Sequence, residues 1–567
     1  MRTGPFILLI GCSPPTQELV ARAGADLTVE TGAEVELDGS ASSGAIEYIW
    51  TLGDGQSVTS SEPELSYQWA HPGHYTVYLE VRDDLGRTET DSLRLTVHHP
   101  LLSTAPRTSS ALVGDLSGER LYAVLPDLDR VAIIDLSRSS LSGHLETCSR
   151  PRSLSLYDSR LAIACPSVDE IWIYDLTDTA APKHQISLSW GDRPFGLVFS
   201  ADRLYATLQG TGELLSIEPD SGSEDERIAL GPDLRGLAWM EGTLIASRHR
   251  SPDSGGQWWT IDEATGHVSG YILEPDPGPD SDTNSRGIPG YLQRIAIRPD
   301  GRTAVFPGLK SNTERGLYLE GTALDPETTV RSILRHAVIN SDEGELGSTA
   351  EEPLFDNRDL GTAAAYSPLG DVVFVAHQGT QMVDALDGWS MQRIGGFQHL
   401  GHGLSGLWVD PDGETLWALL DFDRQLVALP IEDLSESPTE RARIDLLGAL
   451  VDPMDESLLA GQRLFHGSLD TRMSHDGYIS CASCHLDGED DGRTWDFTQR
   501  GEGVRNTTSL LGRTHEGHGP LHWSGNFDEI QDFEIDMRLH MGGAGFLNEE
   551  DWVEHSEPLG LPKAGLS

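Results

Sequence analysis

Glu119-Arg120-Leu121-Tyr122-Ala123-Val124 leads, after a short polar turn, to Val131-Ala132-Ile133-Ile134-Asp135. The same pair of phrases returns as Ser159-Arg160-Leu161-Ala162-Ile163-Ala164 with Ile171-Trp172-Ile173-Tyr174-Asp175. It returns again as Asp202-Arg203-Leu204-Tyr205-Ala206-Thr207 with Leu214-Leu215-Ser216-Ile217. Short apolar runs bounded by turn residues read as buried strands. Weaker copies begin at Gly242, Gly301, Gly370 and Gly413. Four of the six gaps between copies are 40–43 residues, the length of one four-stranded blade, and gaps of 59 and 69 carry insertions. Seven copies predict a seven-bladed β-propeller over residues 107–435, stable because each blade covers its neighbours.

The copies resemble YVTN/WD-like propeller repeats, with Ser367-Pro368-Leu369-Gly370-Asp371 and Asp410-Pro411-Asp412-Gly413-Glu414 as hairpin turns. The first insertion, Glu274 to Gly290, contains Asp280-Ser281-Asp282-Thr283-Asn284, the opening spacing of a calcium loop. Ser285 and Tyr291 stand where such a loop needs glycine and glutamate. Calcium and a plain solvated loop both stay open. The second insertion, about 321–360, is acidic and is expected on one face, where loops tend to carry binding. His249 and His377 read as structural histidines.

Upstream, residues 20–98 alternate apolar and polar positions in about seven short runs, which predicts an immunoglobulin-like sandwich. Leu37-Asp38-Gly39-Ser40-Ala41-Ser42, Trp50 with Gly53-Asp54-Gly55, and the run from Pro72 to Gly86 resemble a PKD domain. The resemblance implies a spacer or adhesion module, with Trp50 in its core and Asp54 and Asp83 forming turns. Before it, Arg2 and the run Phe6-Ile7-Leu8-Leu9-Ile10-Gly11-Cys12 resemble a bacterial lipoprotein signal. That implies a signal peptide over residues 1–12, lipidation of Cys12, and a protein exported to the periplasm or cell surface and held by its lipid. Cys148 and Cys165 are open between a disulfide and two separate buried thiols.

Downstream of about residue 450 the text changes. Residues 456–465 have helical spacing, and Cys481-Ala482-Ser483-Cys484-His485 follows. Two thiols at i and i+3 can bond both vinyl groups of a haem, and the next imidazole reaches its iron. A zinc or redox CxxC is the competing reading, but no second CxxC completes a zinc site. The flanking Ser474-His475-Asp476-Gly477, Asp491-Gly492-Arg493, the run from Gly501 through Arg505-Asn506 to Leu510, and His522-Trp523-Ser524-Gly525 resemble the di-haem cytochrome c peroxidase/MauG superfamily. The resemblance covers about 452–547. It implies a mostly α cytochrome c domain over 452–567, with haem c anchored by Cys481 and Cys484 and His485 as proximal iron ligand.

The sequence departs from that family. It has no second CxxCH, and it looks cut short where a second haem domain would follow. No histidine lies between the motif and Arg505; Gln499 stands near where some members place a distal one. The sixth ligand is open among Met537, Met541, His522, His540 and none. Gln531 and Glu534 are candidate distal polar groups, and Trp523 is a candidate relay or packing residue.

Ninety acidic residues face 40 basic ones, a formal charge of −50. Such a surface excludes nucleic acid and repels anionic membrane, leaving contact with a membrane to the lipid anchor, and it favours a basic redox partner protein. The expected whole is a mainly β multidomain chain: sandwich, propeller, then cytochrome. Its expected function is electron transfer through a covalent haem. Oxidoreductase chemistry on hydrogen peroxide and a cell-surface binding protein with a redox-sensing haem are the alternatives. Catalytic residues are not assigned.

Overall fold

The computed structural model describes residues 18–339, 347–348, 353–432, 434, 439–512 and 518–555. The expected leader and Cys12 lie outside them. The chain divides into two compact units between Leu101 and Leu102. Among the described residues no helix is long and apolar enough to cross a membrane.

The first unit has seven strands, from Leu27–Glu30 to Thr88–His98, in sheets of five and two. Strand Gly73–Arg82 shows why it is a sandwich. Val77, Leu79 and Val81 are buried while Thr76 and Tyr78 between them point outward, the period-2 pattern of a half-covered sheet. Trp50 is fully buried at the centre. Asp54 accepts from the Gln56 N–H, and Asp83 from those of Leu85 and Arg87, so both hold turns as expected.

The second unit contains seven consecutive antiparallel sheets of four or five strands, a propeller-like set. Their second strands are Arg120–Leu125, Arg160–Cys165, Leu204–Leu208, Thr243–Arg248, Thr303–Ser311, Val372–His377 and Thr415–Leu420. All seven coincide with the repeat starts. Innermost strands of successive sheets pack on one another. The last sheet packs on the first: Leu112 and Leu121 share a cluster with Trp417, Leu419 and Leu426. Gly114 lies under the Trp408 indole, where a Cβ would come within 2.3 Å of the ring. Every strand of that last sheet comes from residues 404–445, so the two ends are joined by side-chain packing, the Arg424–Asp127 ion pair and the His144 bond to the Leu446 carbonyl rather than by a shared strand.

Three boundaries differ from expectation. The outer strand of the last sheet is Ala442–Asp445, beyond residue 435. The second insertion contains a true strand, Val330–Val338, paired along its length with Thr303–Ser311. Its nine residues are preceded by a short helix, Pro326–Thr329, capped by Asp325, and that detour stretched the apparent repeat. Thirdly, the mostly α domain expected after residue 452 is not what the chain forms. It has helices Glu456–His466, Ala482–His485, Glu534–Leu539 and Glu549–His555, separated by two short hairpins. Glycines at 477, 488, 492, 501, 503, 512 and 525 adopt positive φ and interrupt helix growth. This segment is part of the same compact unit as the sheets.

Cys148 and Cys165 form a disulfide, 17 residues apart, between the end of the first sheet and the second. A loop of that size is worth about 3 kcal/mol in unfolded-state entropy. Cys148→Ala with Cys165→Ala is therefore expected to lower the unit's unfolding free energy by about 3 kcal/mol, read from denaturant midpoints. An unchanged midpoint contradicts this.

Candidate functional site

The CxxCH motif lies on a single helical turn, Ala482–His485, which packs against the sheets. Ala482 and Leu486 are buried in a cluster with Tyr291, Leu309, Val330, Leu360 and Trp495, and Cys484 borders it. Within the motif, the Ser483 hydroxyl donates to Asp359 Oδ1 at 2.9 Å. Both thiols are reduced. Burial, then the nearby Asp536 carboxylate, pushes Cys481 up to about 11; burial, then Asp491, pushes Cys484 well above the thiol range.

His485 is arranged differently. Its Nδ1 donates to the Glu489 carbonyl at 3.3 Å, and the Thr508 backbone also bears on the ring, so the imidazole is held in orientation. Burial lowers its pKa, so the ring is neutral at physiological pH. Leu511 lies against Gly488, Leu510 donates its N–H to the Gly488 carbonyl, and the Trp523 indole donates to Asn506. Leu511 and Trp523 are more than half exposed. Two thiols and an oriented imidazole fit the donor set of a haem.

What fixes this turn on the sheets is electrostatic. Asp487 pairs with Arg152 and, at 2.6 Å, with Arg235. Glu489 pairs with Arg193 and lies 3.6 Å from Arg235; Asp490 lies 3.3 Å from Arg250. Burial alone would raise the Asp487 carboxyl, but Arg152 and Arg235 hold it well below the usual carboxylate range. Sequence reasoning missed these arginines. Their signal is the repeat itself: Arg152, Arg193 and Arg235 recur at 41 and 42 residues, at the start of three successive inner strands. Both insertions also meet the segment. The Tyr478 hydroxyl donates to Asp356 and Asp282, Asp496 accepts from the Tyr318 and Leu319 N–H groups, and Gln499 accepts from that of Leu324.

The other predicted residues fall as follows. Met537 is on helix Glu534–Leu539, whose Asp536 bears on Cys481; Met541 follows that helix, and its carbonyl accepts from the His475 N–H. His540 Nδ1 is held by Gln499 at 2.8 Å. His522 Nδ1 lies 2.8 Å from Glu502, and its ring packs between Phe527 and Phe533. Glu534 accepts from Arg538 and from the Phe546 and Leu547 N–H groups, a structural role. His249 is buried, neutral and stacked on Tyr291, and His377 bonds Ser332, so both are structural. In the calcium-like loop, the Asp280 carboxylate accepts from Arg286 and Asn312, and Lys310 takes Asp276 and Asn284. Cations of the chain itself thus occupy those oxygens.

A PKD-domain family model matches residues 16–97. No curated protein matches the sequence. Among solved structures, Kuenenia stuttgartiensis hydrazine synthase is similar over 57% of this chain and 95% of that one, at 14% identity and TM-score 0.48. Kluyveromyces lactis Hsv2 is similar over 60% and 99%, at 12% and 0.40. Dihydro-heme d1 dehydrogenase NirN is similar over 71% and 73%, at 14% and 0.39. A PKD domain and a disulfide mark the protein as exported or extracellular. The chain is mainly β: a PKD domain over residues 16–97, followed by a propeller-like set of antiparallel sheets.

Proposed function

We propose that the protein is an exported c-type cytochrome in which a seven-bladed propeller carries one covalent haem for electron transfer. The observation that carries this reading is the pairing on one turn of two thiols free of any disulfide with an imidazole oriented by the Glu489 carbonyl. Cys481 and Cys484 would hold the haem through thioethers, and His485 Nε2 would ligate its iron. Bound there, haem supplies one-electron exchange between ferric and ferrous iron. The chain's own contribution is to orient the imidazole and to anchor the turn on the sheets. Lipidation at Cys12 would hold the assembly at the envelope, and the charge of −50 would steer a basic redox protein toward it.

The test is the intact mass and absorption spectrum of the full-length protein matured with its c-type haem assembly machinery. One haem per chain is expected, lost on Cys481→Ser with Cys484→Ser and spectrally altered on His485→Ala. A chain that matures with unmodified thiols would sink the reading. Two haems, with peroxide turnover, would favour the peroxidase/MauG-type enzyme.

A further inference from the structure

Beneath the CxxCH turn, where the seven sheets converge, lies a cavity of about 160 Å³ roofed by Gln462, His466, Leu486 and Asp487. Most charges on its wall are paired: Asp487 with Arg152 and Arg235, and Asp127 with Arg424. Two are not. Arg294, on the fifth sheet, is 8% exposed; it donates to Ser153 Oγ and the Arg152 carbonyl but forms no ion pair among the described residues. Asp421, on the seventh, is 5% exposed, forms no ion pair there, and its Oδ1 has no hydrogen-bond partner. Gln378, also more than nine-tenths buried, leaves its Oε1 unpartnered on the neighbouring sheet. Buried charges in proteins are ordinarily paired. Here a cation and an acid of opposite sign stand apart on the wall of one polar cavity.

We propose that this cavity binds a small zwitterion of the α-amino-acid class, its carboxylate toward Arg294 and its ammonium toward Asp421 and Gln378. An ion of one sign would leave the other wall uncompensated. The volume is well below the ~300–1,000 Å³ of drug-sized sites, which restricts the side chain to a small one. Burial, then Arg235 and Arg152, lowers Arg294 to about 9 against the pull of Asp487, and burial raises Asp421 to about 7 against Arg152 and Arg424. Arg150, exposed along most of its side chain, also lines the cavity.

The experiment is calorimetric titration of the full chain with glycine, L-alanine, acetate and methylammonium. Glycine or alanine is expected to bind at one site and to raise the unfolding temperature, while acetate and methylammonium do not. Arg294→Gln and Asp421→Asn each remove a buried unpaired charge and are expected to fold, with affinity lowered about tenfold or more. Absence of glycine and alanine binding to the native chain overturns the proposal whatever the variants do. So does binding of acetate or methylammonium equal to that of glycine, or unchanged affinity in both variants.

Discussion

Asp487→Ala is expected to lower the stability of the 102–567 unit by about 3–5 kcal/mol, the cost of breaking a buried ion pair from one side. The reason is asymmetry. Arg235 is 1% exposed and loses its 2.6 Å partner, while Arg152 loses its only ion-pair partner among the described residues. With Arg294 close to both, three guanidinium groups would face one another in low dielectric. Removing the acid together with Arg235, as Asp487→Leu with Arg235→Met, is expected to cost less than Asp487→Ala alone. Denaturant midpoints of the three proteins decide the matter. A loss below 1 kcal/mol in the single variant, or a larger loss in the double, would show that the clamp is not held by charge.

Asp359→Asn is expected to remove a decline in stability that the native protein undergoes between about pH 4 and 7. Asp359 is fully buried, and burial raises its carboxyl to about 7 against hydrogen bonds from Ser480 and Ser483 that lower it. Below pH 4 the group is protonated whether the chain is folded or unfolded, and it costs nothing. As pH rises the unfolded chain ionises first, so unfolding is favoured progressively until the folded group also ionises near pH 7. A shift of about 3 units corresponds to about 4 kcal/mol, fully lost above that window. Asparagine keeps the acceptor for Ser483 and cannot ionise. The stability difference between variant and native protein should therefore grow from pH 4 to 8. Parallel pH profiles would refute the assignment.

The sheets were legible because each strand carries its own burial pattern and the pattern repeats. Leu121-Tyr122-Ala123-Val124 and its counterparts need no tertiary information to be read as buried strands. Trp50, Asp54 and Asp83 were legible for a similar reason, since core and turn residues act locally. The C-terminal segment was not. A family resemblance suggested helices there, but the glycines at 488, 492, 501 and 503 hold turns, and the segment's rigidity comes from arginines hundreds of residues upstream. Nor could spacing choose among Met537, Met541, His522 and His540, because where each falls depends on how the loops after Asn506 fold back. The disulfide was open for want of geometry, which only the packing of the first sheet on the second supplies.

The ring closes on Gly114 and Trp408 without exchanging a strand. In mechanical terms it has a seam, and a load spreading its first and last sheets would meet side-chain contacts there rather than a ladder of hydrogen bonds. The CxxCH segment lies across that load path. It grips the second, third and fourth sheets through Asp487, Glu489 and Asp490, and reaches the sixth through Ser483 and Asp359. It therefore works as a clasp: its docking shuts the bracelet, and opening the bracelet would dislodge the turn that bears Cys481, Cys484 and His485.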